Sequence, residues 1–298
     1  MSRVSLLIPA RNERFLAPTV RDVLAKATGD IEVIVVLDGE PEVEPLPDDP
    51  RLIVIRHGAS LGMRPAINHA ARIATGDFLM KLDGHCMLEE GFDDILTRDC
   101  EPNWIVVPRR VSLDPENWTV KHTGKSPVDA HYLSYPFEAH RPGAGLHGTV
   151  WLDRARRRRD VLIDDEMSSQ GSCWFMSRNW WNRLGEMDTA NYGSFIQEFQ
   201  EIGLKTERLG GRVKVNKRTT YAHLHKGMQY GRGYHIAKSE WDKGQRYCIS
   251  YWMREMKTIR ALVERFDSYG LPVPTWPRRS DLTVDWGTVQ LDMAPGGQ

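Results

Sequence analysis

Ile31-Glu32-Val33-Ile34-Val35-Val36-Leu37-Asp38 decides the fold class. The run is β-branched and almost unbroken by polar residues, as expected of a parallel strand covered on both faces. Upstream, Val4-Ser5-Leu6-Leu7-Ile8 reads as a second buried strand, closed by Pro9. Between them, Leu16 to Ala27 carries helical periodicity and ends near Gly29. Downstream, the acidic, proline-rich stretch from Glu40 to Pro50 is a loop. Leu52 to Ile55 is a third strand, Gly62 to Thr75 a helix stopped by Gly76, and Asp77 to Leu82 a fourth strand. Strands alternating with helices predict an α/β sheet with right-handed crossovers.

Beyond residue 100 the pattern weakens. Pro108 to Asp165 is rich in Pro, Gly, His and aromatic residues and reads as long loops over a site. Order resumes at Gly171 to Met176, and a helix follows from Asn179 to Leu184. A second helix runs from Gln197 to Leu209, ended by Gly210-Gly211, and a short strand follows from Arg212 to Val215. Gln229 to Arg265 reads as mainly helical, and the last thirty residues as a surface tail. The expected division is a catalytic domain over 1–225 and a helical C-terminal extension over 226–298.

The chain has 298 residues, 41% of them hydrophobic, with a formal net charge of zero, so overall charge names no partner. Charge distribution says more. Residues 1–100 hold 11 Lys/Arg against 17 Asp/Glu, whereas residues 203–265 hold 15 against 5. The later segment is a candidate for meeting an anionic partner or is a solvated helical face. The four cysteines fit neither a zinc knuckle nor a disulfide framework, which suits a reducing cytoplasm. No signal peptide or membrane span is legible, so a cytoplasmic protein without a membrane anchor is expected.

In open α/β sheets, ligands sit beyond the carboxyl ends of the strands. The chemistry-bearing residues fall there: Pro9-Ala10-Arg11-Asn12-Glu13 after the first strand, Asp38-Gly39 after the second, and Asp83-Gly84-His85 after the fourth. No Gly-x-Gly-x-x-Gly loop follows the first strand, which argues against a dinucleotide fold, and no Walker loop is present. A nucleotidyltransferase would call for a glycine-rich, cationic loop after that strand, which Pro9 to Glu13 lacks.

Together with Arg64, the stretch Ala70 to Asp77, and Lys81-Leu82-Asp83-Gly84-His85, these blocks resemble the family-2 glycosyltransferases and their GT-A relatives. The Asp-x-His pattern is similar to that of the polypeptide N-acetylgalactosaminyltransferases. A second block, Glu198-Phe199-Gln200-Glu201, then Gly210-Gly211 and His223, resembles the Glu-Asn-Leu-Glu, Gly-Gly and metal-binding His of those enzymes. The likeness covers roughly residues 3–225. It implies a GT-A (Rossmann-like), mostly parallel sheet flanked by helices, a UDP-sugar donor, and a metal held by Asp83, His85 and His223. The chain also resembles phage-encoded transferases of this clan, some of which decorate hydroxymethylated pyrimidines in viral DNA.

The metal has its own logic. A nucleoside diphosphate leaves poorly unless its charge is neutralised, and a divalent cation does this as a Lewis acid. Carboxylate plus imidazole suits Mn²⁺, with Mg²⁺ a weaker candidate. Asp83 and His85 are two apart at a strand end, so both can face one side. His225, two beyond His223, is a further but weaker candidate ligand.

The resemblance gives Asp38 the nucleotide's uracil or ribose, the alternative being a turn carboxylate before Gly39, and brings Arg64 to the nucleotide, the alternative being an ordinary surface arginine; Arg11 and Glu13 frame the same pocket. Trp174 either stacks on the donor sugar or packs in the core. Glu198 and Glu201, three apart on a helix, share a face and are the candidate catalytic pair. Phe199 departs from inverting family-2 enzymes, which carry their basic Asp there. Retention is therefore expected, with Asp164, Asp165 or Glu166 as alternative bases. Arg156-Arg157-Arg158-Arg159 reads as a phosphate contact or a charged loop, and His223 to Tyr234 as a flap over a diphosphate or polyanion.

The acceptor stays open between a hydroxymethylated base in DNA, a protein side chain and a glycan. For DNA speak the basic excess of 203–265 and its interleaved aromatics: Tyr221, Tyr230, Tyr234, Trp241, Tyr247, Tyr251 and Trp252. A module that kept the fold and lost catalysis is the reading from another class.

Overall fold

The computed structural model describes residues 2–122, 124, 126–134, 146–256 and 268. In chain order the elements are β1 (Val4–Ala10), α1 (Leu16–Lys26), β2 (Ile31–Asp38), β3 (Leu52–His57), α2 (Met63–Ile73), β4 (Phe78–Leu82), β5 (Cys86–Leu88) and α3 (Phe92–Asp99). Then come β6 (Trp104–Asp114), β7 (Thr119–Val120), β8 (His131–Ser134), β9 (His147–Val150), α4 (Leu152–Arg157), β10 (Ile163–Glu166), β11 (Cys173–Ser177), α5 (Arg178–Leu184) and α6 (Thr189–Tyr192). The last are α7 (Glu198–Arg208), β12 (Arg212–His223), α8 (Gly227–Tyr230) and α9 (Lys238–Met256).

The main sheet runs β10-β12-β6-β11-β4-β1-β2-β3, with β5 added to β12 and β7 to β6. Its first half is the expected parallel layer: β4, β1, β2 and β3 pair in parallel. All eight residues of β2 are buried, because sheet neighbours and helices cover it on every side. The small buried side chains Ala66, Ala70 and Ala71 of α2 belong to the core formed with these strands. β11 then enters antiparallel between β4 and β6, and β6 pairs in parallel with β12. The sheet is mixed at this seam.

Two sequence expectations need correcting. Pro108 to Asp165 is not one long loop: β6 extends to Asp114, and β7 to β10 and α4 follow. Pro108 and the Arg109-Arg110 pair hide the strand period. Pro108 lies opposite Asn216, where the β6–β12 register shifts, a place where a residue without an N–H is tolerated. β12 runs to His223 rather than Val215, because its second half gains partners in both β5 and β6. β5 and α3 had no legible signal. Of the regions read as loop, helix and tail, 135–145, 257–265 and 269–298 lie outside the described residues.

α9 docks on α6 and on the segment before α7. Trp252 donates its indole N–H to the Tyr192 hydroxyl, and Cys248 Sγ lies 2.9 Å from Gln197 Oε1. Gly244 permits the contact, since a Cβ there would sit 2.3 Å from the Tyr192 carbonyl oxygen. All four cysteines are free thiols. No helix among the described residues is long and apolar enough to cross a membrane.

Candidate active site

The carboxyl ends of β1, β2 and β4 open into a cavity of about 1010 Å³, closed opposite by residues 194–200 and by residues 223–241 after β12. A ligand-sized cleft is expected at this position of an open sheet. Asp83 follows β4, His85 precedes β5, and His223 ends β12 beside β5. Their ligand atoms lie within 4.8 Å of one another. Asp83 Oδ2 is 3.5 Å from His223 Nε2 and 3.8 Å from His85 Nε2, and the two Nε2 atoms are 3.2 Å apart.

The two imidazoles are held differently. His85 Nδ1 is 3.0 Å from Glu13 Oε2, a contact that orients the ring and turns its Nε2 towards Asp83 and His223. His223 Nδ1 is buried without a partner, so the tautomer of His223 is set by what its Nε2 meets. One carboxylate oxygen and two imidazole nitrogens converging on one point fit a divalent cation of the Mn²⁺ type.

Electrostatics follow from burial. Burial raises the Asp83 carboxyl, but Lys81, His223 and His85 outweigh it, and its pKa lies below the usual carboxylate range. Burial pulls His223 down to about 3 despite the neighbouring Asp83. Burial raises Glu13, and His85 and Lys226 pull it below its ordinary value. The pH dependence of the metal-free fold follows. The unfolded chain protonates His223 near 6.5 and the folded chain only near 3, so stability is full above 6.5 and falls as pH drops towards 3. The slope from this one group is at most about 1.4 kcal/mol per pH unit. Urea unfolding in chelator between pH 7.5 and 4 should give a shallower decline for His223→Ala than for the parent. Equal declines would remove His223 as the cause.

The other expected site residues separate into those at the cavity and those behind it. Pro9, Arg11, Glu13, Asp38 and Glu198 line it. Arg11 forms no ion pair among the described residues, its Nε is buried without a partner, and its guanidinium sits 5.7 Å from the Tyr234 ring centroid. Asp38 is already spent: it accepts from Ser60 Oγ, Leu61 N, Gly62 N and His57 Nδ1 at 2.6–2.9 Å. With its carboxylate positions filled, it orders the 58–62 loop before α2 and has no free oxygen for a ribose.

Trp174 and Arg64 do not reach the cavity. Trp174 is fully buried, stacks on Trp181 and donates to Glu198 Oε1 at 2.6 Å. It holds the carboxylate rather than a sugar face. Arg64 is fully buried, pairs with Glu201 and donates to the Ile196 carbonyl at 2.8 Å. Glu201 also binds Lys205 at 2.7 Å and the Asp188 N–H at 3.0 Å, so of the Glu198/Glu201 pair only Glu198 faces the site. The two share a helix, yet the first turn of α7 is buried on both sides.

Asp164, Asp165 and Glu166 sit on β10 at the sheet edge, paired with Arg154 and Arg158, Lys214, and His131. None lines the cavity. Arg156 and Arg159 meet Asp153 and Asp160 near the surface, away from the site. His225 lines the cavity beside His223 but is outside the converging trio. The residue missed in the sequence is Lys81, which bridges Asp83 and Glu198, and Lys226, expected in a flap over the diphosphate, is found paired with Glu13.

A family model described as glycosyl transferase family 2 matches residues 5–185. No curated protein matches the sequence. Among solved structures, GalNAc-T7 with UDP, GalNAc and Mn²⁺ is similar at a TM-score of 0.63 and 16% identity, covering 83% of this chain and 47% of that one. S. aureus TarS, residues 1–349, gives a TM-score of 0.46 at 12% identity, covering 76% of this chain and 61% of that one. The chain thus spans about half the length of the first and three-fifths of the second. At these identities the likeness is one of fold: a central sheet flanked by helices, of the GT-A type.

Proposed function

Because the chain belongs to glycosyl transferase family 2, we propose that it is a metal-dependent transferase that takes a sugar from a nucleoside diphosphate donor, UDP-sugar first among them. The observation that carries this reading is the meeting of Asp83, His85 and His223 at the mouth of the cavity. A divalent cation held by these three side chains supplies Lewis-acid neutralisation of the leaving diphosphate. Glu13 fixes the ring of His85 through Nδ1. Arg11 and Lys226 line the same cavity and offer cationic groups to phosphate oxygens. The screen is thermal unfolding with nucleotide sugars, with and without Mn²⁺: UDP-sugar should raise the midpoint most when the metal is present. Equal midpoints in chelator and in Mn²⁺ reject the metal.

The transfer is proposed to retain the anomeric configuration. Phe199 stands where inverting relatives carry a base, and it is buried in the core. Glu198, the carboxylate left facing the cavity, is held by Trp174 and lies 3.3 Å from Lys81. NMR of the product linkage should give the donor's own anomer; the opposite anomer rejects retention.

For the acceptor, the reading carried forward is a hydroxymethylated base in DNA, and charge is its support. The aromatic argument has lost most of its rings. Tyr221 and Trp252 are buried, and Tyr247 packs against both Tyr192 and Tyr251. Tyr234 and Trp241 remain at the cavity, beside Arg232. If about four phosphates are neutralised, binding should weaken by roughly three orders of magnitude or more per tenfold rise in salt. Normal turnover of UDP-sugar with no binding of such DNA at low salt rejects this acceptor and leaves the donor reading intact.

A further inference from the structure

Lys81 lies on β4, a central strand of the sheet beside the site, with its side chain 1% exposed. Its Nζ lies 2.6 Å from Asp83 Oδ1, 2.6 Å from the Gly171 carbonyl oxygen and 3.3 Å from Glu198 Oε2. The ammonium donates to Asp83 and Gly171 and is ion-paired with Glu198. The contacts join three separate elements: the end of β4, the turn before β11 and the first turn of α7. Gly171, at φ +80°, closes this arrangement, since a Cβ there would sit 3.1 Å from Glu198 Oε2. The consequence falls on Asp83. With Oδ1 held by Lys81, Oδ2 is the oxygen turned to His223 and His85.

Resting on the metal-dependent reading above, we propose that Lys81 is a positioning residue with an electrostatic role: it selects the Asp83 oxygen offered to the cation and keeps a bare divalent ion weakly held until a nucleoside diphosphate arrives. Across one carboxylate, an ammonium and a divalent cation repel, and the buried setting screens that repulsion less than water does. Lys81 also cancels one of the two carboxylates nearest to it, which leaves little negative charge to attract a free ion. A diphosphate brings the missing negative charge, so cation and nucleotide tighten each other's binding by the same factor.

The test is Mn²⁺ binding to the full chain, followed by the electron paramagnetic resonance of free Mn²⁺, with and without UDP. In the parent, UDP should tighten Mn²⁺ by roughly tenfold or more. Lys81→Gln keeps a hydrogen-bond donor and removes the charge. It should bind Mn²⁺ alone roughly tenfold more tightly, lose most of the gain from UDP, and transfer sugar more slowly. A residue that merely packs would move the other way, since its loss loosens Asp83 and weakens Mn²⁺. Unchanged or weaker Mn²⁺ binding by Lys81→Gln therefore overturns the proposal. So does a parent that binds Mn²⁺ equally well without UDP, a result that needs no variant to fold. A parent that binds no Mn²⁺ even with UDP removes the metal reading itself and this inference with it.

Discussion

Asp83→Asn and His223→Ala will each lower sugar transfer by roughly a thousandfold, the rate equivalent of the several kcal/mol that a metal's neutralisation of developing charge supplies. Asn is the informative replacement at position 83. Both Asn and Ala remove the negative charge beside Lys81, but Asn keeps an oxygen to accept from its ammonium, whereas Ala would also leave that buried donor without its acceptor and confuse loss of fold with loss of chemistry. His223→Ala removes a largely buried imidazole and its Nε2 contacts to His85 and Asp83, but its Nδ1 has no partner to orphan, and Asp83 stays bonded to Lys81 and His85 to Glu13. Circular dichroism and the unfolding midpoint should stay near the parent's at pH 7.5, and Mn²⁺ should no longer raise the midpoint in the presence of UDP. Full transfer by both variants in chelator would falsify the metal reading. A comparable loss in His225→Ala would move the third ligand two residues along β12's exit.

The sequence made the first half of the sheet legible because its signals are local. Each strand from Val4 to Leu82 is a short, mainly apolar run, although β1 continues through Pro9, read as its stop, to Ala10, and Asp83 and His85 lie two residues apart just past the end of β4. His223 was reachable only through the family likeness. Its place at the site depends on β12 extending to pair with β5 across the middle of the chain, and no short-range pattern reports that. Lys81 was quoted within its motif but given no role, for the same reason. Its partners at Gly171 and Glu198 are distant in sequence, and a lysine inside an apolar strand looks like a surface residue until burial is known. Trp174 and Arg64 failed in the opposite direction. Both are the residue types that binding sites favour, and both stand in motif-bearing stretches, yet the first is a core ring and the second a core cation. Asp38 lies between: it reaches the cavity as expected, but its oxygens are occupied by the chain's own Ser60, Leu61, Gly62 and His57.

Arg64→Ala should cost about 3–5 kcal/mol of stability, the loss typical when one partner of a buried ion pair is removed. Arg64 has no exposed surface, and Glu201 is 1% exposed, so water cannot take over the abandoned carboxylate. The guanidinium also lies 4.3 Å from the Tyr192 ring centroid and donates to the Ile196 carbonyl, so the variant loosens the segment between α6 and α7 as well. At roughly 2–4 °C per kcal/mol for a chain of this order of size, the midpoint should fall by about 10 °C. Replacing both partners, as in Arg64→Met with Glu201→Leu, should recover part of this, because neither fully buried member of the pair is then left as an uncompensated charge. Recovery should stop short of the parent, since the Asp188 N–H and Lys205 also lose their acceptor. The contrast with a nucleotide contact is direct. A nucleotide-binding arginine on the cavity wall would, when removed, weaken UDP binding and leave the UDP-free midpoint almost unchanged. If Arg64→Ala behaves in that way, the arginine belongs to the donor site after all, and the closed ion pair with Glu201 is not the state that binds the nucleotide.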